Sequence, residues 1–338
     1  MLKTASIRPY RPGRASIVTA ALVAVGGLLA ACTSSGATHD NEHKQVRFVT
    51  AKGAIEWWPV QFGLEQGIFK DDGLDLRTIQ AKSGPEITSI VSSGSADVGM
   101  GVLEAAIVPI QQRAEMTILD IPGITPSSSV IASSDVKLPN ATLGYPESAT
   151  NLKGLKVGVT ALGSPSERYL KTVLEDAGLS PDDVTFVAVG APSTAIPAFT
   201  QGKVDALLAY DPLTQLLGGR GYQTVVTADD MIEHATGPAS GVYFIGAKEF
   251  ADSSAAGTFC RAVLRAYEAI QDPANEAAAV KSLTAWTGLS AKQGGAVLSA
   301  LRKRVGAAEI DDATWRSAEE FLTSKPPAFG NAVTPVCE

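Results

Sequence analysis

From residue 46 onward the chain alternates between short β-rich apolar runs and helix signals, and it does so twice. The first pass predicts strands at 46–51, 75–81 and 96–101, with one helix from Pro59 to Gly67 and another over 85–94. The second pass predicts strands at 155–160, 184–190 and 204–210, with helices over 164–179 and 195–202. Because strands that alternate with helices form parallel sheets covered by those helices, the pattern predicts an α/β fold.

Two short motifs recur at a nearly constant distance between the passes. Gly73-Leu74 matches Gly178-Leu179 at an offset of 105 residues, and Gly94-Ser-Ala-Asp97 matches Gly202-Lys-Val-Asp205 at an offset of 108. Motifs that recur in one order and at one period indicate a repeated structural unit. The sequence therefore predicts two lobes of the same design.

Two extended runs, 127–135 and 241–250, are predicted to join the lobes as a two-strand hinge. The predicted segments are 46–130 plus 246–338 for lobe one and 131–245 for lobe two. Residues 255–323 are predicted to be helical, with apolar positions at helical spacing that pack in the core of lobe one. These positions are Phe259, Val263, Tyr267, Ile270, Trp315, Ala318 and Leu322.

The start of the chain has the composition of an export signal. It carries four basic side chains and no acidic one, and residues 17–31 are apolar and end in small residues before Cys32. Leu29-Ala30-Ala31-Cys32 resembles the lipobox of bacterial lipoproteins; the alternative is an ordinary signal peptide with an incidental cysteine. We expect a lipoprotein signal peptide over 1–31, a flexible tether over 32–45, and a lipid on Cys32 that anchors the protein to the outer face of the cytoplasmic membrane.

Charge and composition exclude several classes of protein. A hydrophobic fraction of 45% and a charged fraction of 19% are typical of soluble globular domains. Removal of residues 1–31 would take the formal net charge from −7 to −11. Nucleic-acid binding requires a basic surface, so an acidic body argues against a nucleic-acid partner.

Two cysteines remain after export, Cys260 and Cys337. Exported proteins face an oxidising environment, which favours a disulfide between an even pair of cysteines. We expect this disulfide to fasten the C-terminal tail to a helix, with two free buried thiols as the alternative.

Several segments occur in the order and spacing typical of a known family. They are GLEQGIFKDDGLDL (63–76), SSGSADVGMG (92–101), LKGLKVGV followed by GSPSERYL (152–170), and DDVTFVAVG to GKVDALLAYDP (182–212). Over about residues 46–250 the chain resembles the solute-binding proteins of ABC importers. Among these it is most similar to the nitrate, sulfonate, taurine and thiamine-pyrimidine-precursor binders.

This resemblance implies a two-lobed type II periplasmic-binding fold, in which two parallel-sheet lobes close on a small-molecule ligand around the hinge. It also implies delivery of the ligand to an ABC permease with its ATPase. We expect a monomer that needs no cofactor and no metal.

Open α/β sheets bind ligands at the carboxyl ends of their strands, which places the candidate site in the loops that follow the predicted strands. The candidate residues are Trp57, Trp58, Ser83, Gly84, Gly101, Glu104, Thr160, Ser164, Ser166, Glu167, Tyr210 and Asp211. Lobe one is expected to hold the ligand first, and the turn at 160–166 of lobe two is expected to close over it.

Trp57 and Trp58 stand side by side at the start of the helix that Pro59 begins. An indole at a cleft rim offers a flat wall for an aromatic, alkyl or cationic group. Adjacent side chains point in different directions, so we expect one of the two to face the ligand. The alternative is that both pack beneath the loop. Glu56 is expected to be a solvated loop acid.

The Ser164–Ser166 turn begins a predicted helix, and free N–H groups at a helix start bind anions. The family resemblance implies that this turn contacts an anionic or polar head group, whereas a plain helix cap is the alternative. Glu104, Glu167 and Asp211 would instead suit an amine or an aminopyrimidine. The sequence leaves the ligand open between a sulfonate-, taurine- or nitrate-like anion and an aminopyrimidine-like compound.

A pyrimidine-related enzyme and a surface receptor for a sensor are the alternative functions. The fungal branch of the family that makes a thiamine pyrimidine depends on histidine and iron, but the three histidines here include no pair at metal-ligand spacing. A Gly-x-Ser-x-Gly elbow is absent. Gly99-x-Gly101 lacks the third glycine of a dinucleotide loop, because residue 104 is Glu. The sequence favours a binding protein and does not separate transport from sensing.

Overall fold

A computed structural model describes residues 44–218, 221–236, 241–318 and 327–337. The predicted signal peptide, Cys32, Leu322 and all but the last two residues of the predicted tether lie outside these ranges. Within the described ranges, no helix is both long and apolar enough to cross a membrane.

The strands and helices follow the predicted alternation. In chain order the strands are β1 (Lys44–Thr50), β2 (Leu74–Gln80), β3 (Val98–Val102), β4 (Met116–Leu119), β5 (Gly123–Ile124), β6 (Ser128–Ser133), β7 (Lys156–Val159), β8 (Thr185–Ala188), β9 (Ala206–Tyr210), β10 (Tyr222–Val226), β11 (Val242–Ala247), β12 (Val305–Ala308) and β13 (Val333–Thr334). The helices are α1 (Trp58–Glu65), α2 (Ile68–Asp71), α3 (Gly84–Ser92), α4 (Leu103–Gln111), α5 (Pro165–Asp176), α6 (Pro192–Thr200), α7 (Leu213–Leu217), α8 (Ala228–Asp230), α9 (Lys248–Ala251), α10 (Ser254–Gln271), α11 (Glu276–Thr287), α12 (Ala291–Arg302), α13 (Asp312–Ala318) and α14 (Phe329–Ala332).

The two sheets repeat one arrangement. The first sheet has the order β12-β5-β11-β3-β1-β2, with β4 paired to β11 and β13 paired to β4. The second has the order β10-β6-β9-β7-β8. The central strands β1 and β7 each lie between two parallel neighbours. Each sheet is mixed and not wholly parallel, because β11 runs antiparallel to β3 and β6 runs antiparallel to β9.

The recurring glycine and aspartate motif has a structural reason. The glycine of each motif follows a helix and has a positive φ, 70° in lobe one and 67° in lobe two, which glycine adopts without strain. Asp97 then accepts a hydrogen bond from the backbone N–H of Arg47 in β1 at 2.6 Å. Asp205 accepts one from the backbone N–H of Lys156 in β7 at 2.8 Å. In both lobes the aspartate fixes the central strand against the strand that follows the motif.

The chain passes from the first sheet to the second at residues 125–127, between β5 and β6, and returns between β10 and β11. The extended runs of the predicted hinge contain β6 and β11, and each of these strands pairs within one sheet. The second sheet therefore begins at Ser128 and the first resumes at Val242, three and four residues before the predicted lobe boundaries.

Each lobe has its own apolar core. The predicted stripe on α10 is confirmed, since Phe259, Val263, Tyr267 and Ile270 are all buried. Phe259 lies at the centre of lobe one, where its ring contacts several other phenylalanines; these are Phe48, Phe69, Phe244 and Phe250. Residues 305–308, predicted to be helical, instead form β12, because they pair with β5 at the sheet edge.

The C-terminal segment packs along lobe one. There β13 lies parallel to β4 at the edge of the first sheet, and the Asp120 carboxylate accepts a hydrogen bond from the Val336 backbone N–H at 2.7 Å. Cys337 is joined by a disulfide to Cys260 of α10, with the two Cα atoms 5.5 Å apart. The bond links residues 77 positions apart.

Candidate functional site

A cavity of about 160 Å³ lies between the two lobes. Loops that follow β1, β2 and β3 form one wall, and loops that follow β7, β8 and β9 form the other, as expected for ligands that bind at strand ends. The crossing segment at Pro126 and the π-helix Met231–Thr236 complete the lining. Most of the lining is apolar; the residues include Ala51, Ala54, Pro85, Val102, Leu208 and Val242.

Predicted site residues from both lobes meet at this cavity. Those that line it are Trp57, Ser83, Gly84, Gly101, Thr160, Ser166 and Tyr210. The remaining predicted residues lie outside the lining and are engaged elsewhere; they are Trp58, Glu104, Ser164, Glu167 and Asp211.

Trp57 and Trp58 lie in different surroundings. Trp57 lines the cavity, and its indole N–H has no hydrogen-bond partner among the described residues. Trp58 is fully buried in lobe one, where its indole N–H donates to Ser282 Oγ of α11 at 2.9 Å. The Trp286 indole, also on α11, donates to the Ala54 carbonyl oxygen at 2.7 Å. Through these two hydrogen bonds helix α11 holds the loop so that Trp57 lines the cavity and Trp58 packs in the core.

Two of the predicted acids form ion pairs between the lobes instead of lining the cavity. Glu104 of α4 pairs with Arg168 of α5 at 2.7 Å, and the Tyr169 hydroxyl donates to its other carboxylate oxygen at 3.0 Å. Burial raises the pKa of Glu104, and the charge of Arg168 opposes that rise. Asp211, which follows β9, pairs with Arg304 of lobe one at 2.8 Å. Both pairs join a residue of one lobe to a residue of the other.

The hydroxyl groups at the start of α5 bind one another. Ser164 donates to the Ala161 carbonyl oxygen at 2.6 Å, and its Oγ lies 2.7 Å from that of Ser166. The Ser166 Oγ also accepts a hydrogen bond from the Thr160 backbone N–H at 3.0 Å. These contacts position the turn but use the hydroxyls that a ligand head group was expected to bind.

A carboxylate already occupies the start of the same helix. Glu167 accepts a hydrogen bond from the Gly163 backbone N–H at 2.6 Å and pairs with Lys171 at 2.5 Å. Desolvation acts to raise the pKa of Glu167, but the hydrogen bonds from Lys171 and Gly163 outweigh it and lower the pKa. The negative charge at this helix start opposes the anion that the sequence predicted there.

Glu56 is not the solvated loop acid that the sequence predicted; it is only 3% exposed and lines the cavity. The prediction was wrong because Ile55–Trp57 form a 3-10 turn that runs directly into α1 and buries the carboxyl group. Desolvation raises the pKa of Glu56 to about 7, against the effects of its own backbone N–H and of Arg304. The apolar neighbours on both sides of Glu56 in the sequence were the signal of burial.

One of the three histidines, His234, lies within the described residues. His39 and His43 lie outside the described residues, and His234 stacks on the Tyr145 ring with centroids 4.6 Å apart. Over the ranges that the structure describes, no group of three or more His, Cys, Asp or Glu side chains is placed to hold a metal ion.

A family model described as NMT1/THI5 like matches residues 56–277, which are 222 of the 338 residues. The chain belongs to this family. The match begins at the Glu56 turn and extends through both lobes into α11. It confirms the family resemblance predicted from the sequence.

Solved structures share the fold of this NMT1/THI5-like protein. A Bordetella bronchiseptica protein superposes with a TM-score of 0.70 at 24% identity, over 87% of this chain and 95% of the other. The alkanesulfonate-binding protein of Xanthomonas axonopodis, bound to MOPS, gives 0.65 at 18% identity, over 87% and 99%. The nitrate-binding protein of Synechocystis gives 0.59 at 15% identity, over 75% and 69%. These likenesses confirm the two-lobed type II periplasmic-binding fold.

Curated relatives match a shorter part of the chain. They include Saccharomyces cerevisiae proteins named 4-amino-5-hydroxymethyl-2-methylpyrimidine phosphate synthase, 25% identical over 162 residues. The match spans 47% of this chain and 43% of each relative, so less than half of the relatives' length is represented.

Proposed function

We propose that this protein is the substrate-binding component of an ABC importer, which captures a small organic solute between its lobes and delivers it to a permease with its ATPase. The observation that carries the proposal is the cavity between the lobes, lined from strand ends of both sheets. Structural neighbours named as alkanesulfonate- and nitrate-binding proteins support it. The solute is an anion of that kind or an aminopyrimidine-like compound.

The proposed cycle uses the two lobes in turn. Lobe one holds the solute first, through the Trp57 loop and the turns after β2 and β3. Lobe two then closes with the turn after β7, and the inter-lobe ion pairs of Glu104 and Asp211 stabilise the closed form. A solute shifts this equilibrium only by its greater affinity for the closed form. We further propose that the protein acts as a monomer.

The predicted export signal and Cys32 lipobox support the location that this function requires. We propose that the mature protein is held at the outer face of the cytoplasmic membrane by lipid on Cys32. The pairing of Cys260 with Cys337 suits an oxidising compartment.

An enzyme is the second candidate, and the yeast relatives named as synthases favour it. Native mass spectrometry of the protein purified from cells in rich medium separates the two functions. A binding protein should carry a small molecule whose mass is unchanged after prolonged incubation and release. An enzyme should convert it to a new mass. Failure to capture any small molecule, even from a concentrated metabolite extract, would overturn the proposed function.

The two adjacent tryptophans give a matched pair of variants. Trp57→Phe keeps a ring at the cavity but removes the indole N–H, so it should weaken binding of the captured solute by about 1 kcal/mol. Trp58→Phe should leave affinity unchanged but lower the free energy of unfolding by about 2 kcal/mol, because Ser282 Oγ loses its donor and the smaller ring leaves a cavity in the core. Calorimetric titration and urea unfolding of both variants measure the two effects. Equal losses of affinity in both variants would contradict this division.

A further inference from the structure

A second groove lies where the two lobes meet, beside the solute cavity. Helices α3 and α4 of lobe one and the start of α5 of lobe two form its walls. Its volume of about 570 Å³ lies within the size range of small-molecule sites. It shares only Pro85, Ala105 and Pro165 with the lining of the cavity. The polar residues of the groove are therefore separate from those of the solute cavity.

Arg113 of this groove occupies a position where the chain otherwise uses glycine. It lies two residues after the end of α4 and has a φ of 61°, the only positive φ of a residue other than glycine among the described residues. Five other helices, α1, α2, α3, α5 and α6, are each followed at the same distance by a glycine with positive φ; these are Gly67, Gly73, Gly94, Gly178 and Gly202. Because glycine adopts this conformation more easily than any residue with a side chain, the backbone gives no reason for an arginine here.

Three side chains of the groove are free to donate hydrogen bonds to a ligand. The Ser89 hydroxyl, the Gln112 amide and the Arg113 guanidinium are exposed and have no partner within the described ranges. The other hydroxyl groups of the lining already donate to carbonyl oxygens of the chain; they belong to Thr88, Ser92 and Ser164. The groove therefore suits a ligand that accepts hydrogen bonds.

The charge of the groove is positive, although the chain as a whole has a formal net charge of −7. The charged residues of its lining are Arg113, Arg168 and Glu104. Both carboxylate oxygens of Glu104 are occupied, one by Arg168 at 2.7 Å and the other by the Tyr169 hydroxyl at 3.0 Å. The charge of Arg113 therefore remains without a counter-ion among the lining residues, and an anionic ligand would supply one.

We propose that this groove is a second small-molecule site, which binds an organic carboxylate through the Arg113 guanidinium, with Ser89 and Gln112 as further donors. The planar fork of an arginine can donate two parallel hydrogen bonds to the two oxygens of a carboxylate. Val108, which is 44% exposed, and Pro109 line the groove on the same helix as Gln112 follows, and they can cover an apolar part of the ligand. The inference goes beyond the proposed function and does not depend on which solute the cavity holds.

The test compares two probes of the same shape, benzoate and benzamide, of which only benzoate is charged. NMR titration of the wild type should show benzoate binding about tenfold or more tightly than benzamide. Arg113→Gln and Arg113→Gly should each lose about tenfold or more of the affinity for benzoate, because both remove the guanidinium. Arg261→Gln, which removes an exposed arginine of α10 outside the groove, should bind benzoate like the wild type.

Arg113→Gly also separates loss of binding from loss of folding. Glycine suits the positive φ at this position, so circular dichroism should show that the variant melts at no lower temperature than the wild type. Three results would each overturn the inference: no binding of benzoate to the wild type, equal binding of benzoate and benzamide, or an unchanged affinity for benzoate in the Arg113 variants. Because Arg113 does not line the solute cavity, any of these results would leave the proposed function standing.

Discussion

Replacing Cys260 and Cys337 together by alanine should lower the free energy of unfolding by about 4 kcal/mol. The bond closes a loop of 77 residues, and a cross-link over that length removes much of the conformational freedom of the unfolded chain. Alanine is chosen because Cys260 is fully buried and a serine hydroxyl there would need a partner. Urea unfolding of the wild type and the double variant measures the difference.

Dithiothreitol provides the control for the disulfide. It should destabilise the wild type by nearly the same amount and leave the double variant unchanged. The C-terminal segment would still hold its contacts with Asp120 and β4, so the reduced protein should fold. A wild type that is equally stable with and without reductant would show that the two thiols are not linked.

The repeat of the fold was predictable because its signals are local. The motif glycines adopt positive φ, and the motif aspartates bind the backbone N–H groups of Arg47 and Lys156. Each lobe therefore needs the same residue types at the same spacing. The β12 strand was missed because its pairing with β5 depends on a contact with residues 123–124, far away in the chain.

The loops of the site were predictable for a different reason: parallel strands place their carboxyl ends on one edge, whatever the side chains are. The direction in which each side chain points could not be predicted in this way. Trp58 is in the core because Ser282, 224 residues away, accepts its indole N–H. Glu104 and Asp211 leave the wall because Arg168 and Arg304 approach from the opposite lobe. Because these partners are distant in the sequence, the residues next to Trp58, Glu104 or Asp211 do not reveal them.

Glu56→Gln should make the solute-free protein more stable than the wild type at pH 8, by up to about 3 kcal/mol, and no more stable at pH 4.5 or below. Burial raises the pKa of Glu56 from 4.5 to about 7. The folded protein then holds this proton more tightly than the unfolded chain, so the stabilisation is complete below pH 4.5 and is lost as the pH rises through about 7. The shift is worth about 1.4 kcal/mol per pKa unit. Glutamine does not titrate in this range, so the free energy of unfolding of the Glu56→Gln variant should not show this decline.

Urea unfolding of wild type, Glu56→Gln and Glu65→Gln, which removes an exposed carboxylate of α1, between pH 4.5 and 8 measures this decline. The wild type and Glu65→Gln should weaken in parallel as the pH rises, while Glu56→Gln diverges from both above pH 4.5. Three parallel curves would mean that Glu56 is hydrated in solution, with the lobes open enough for water to reach its carboxyl group.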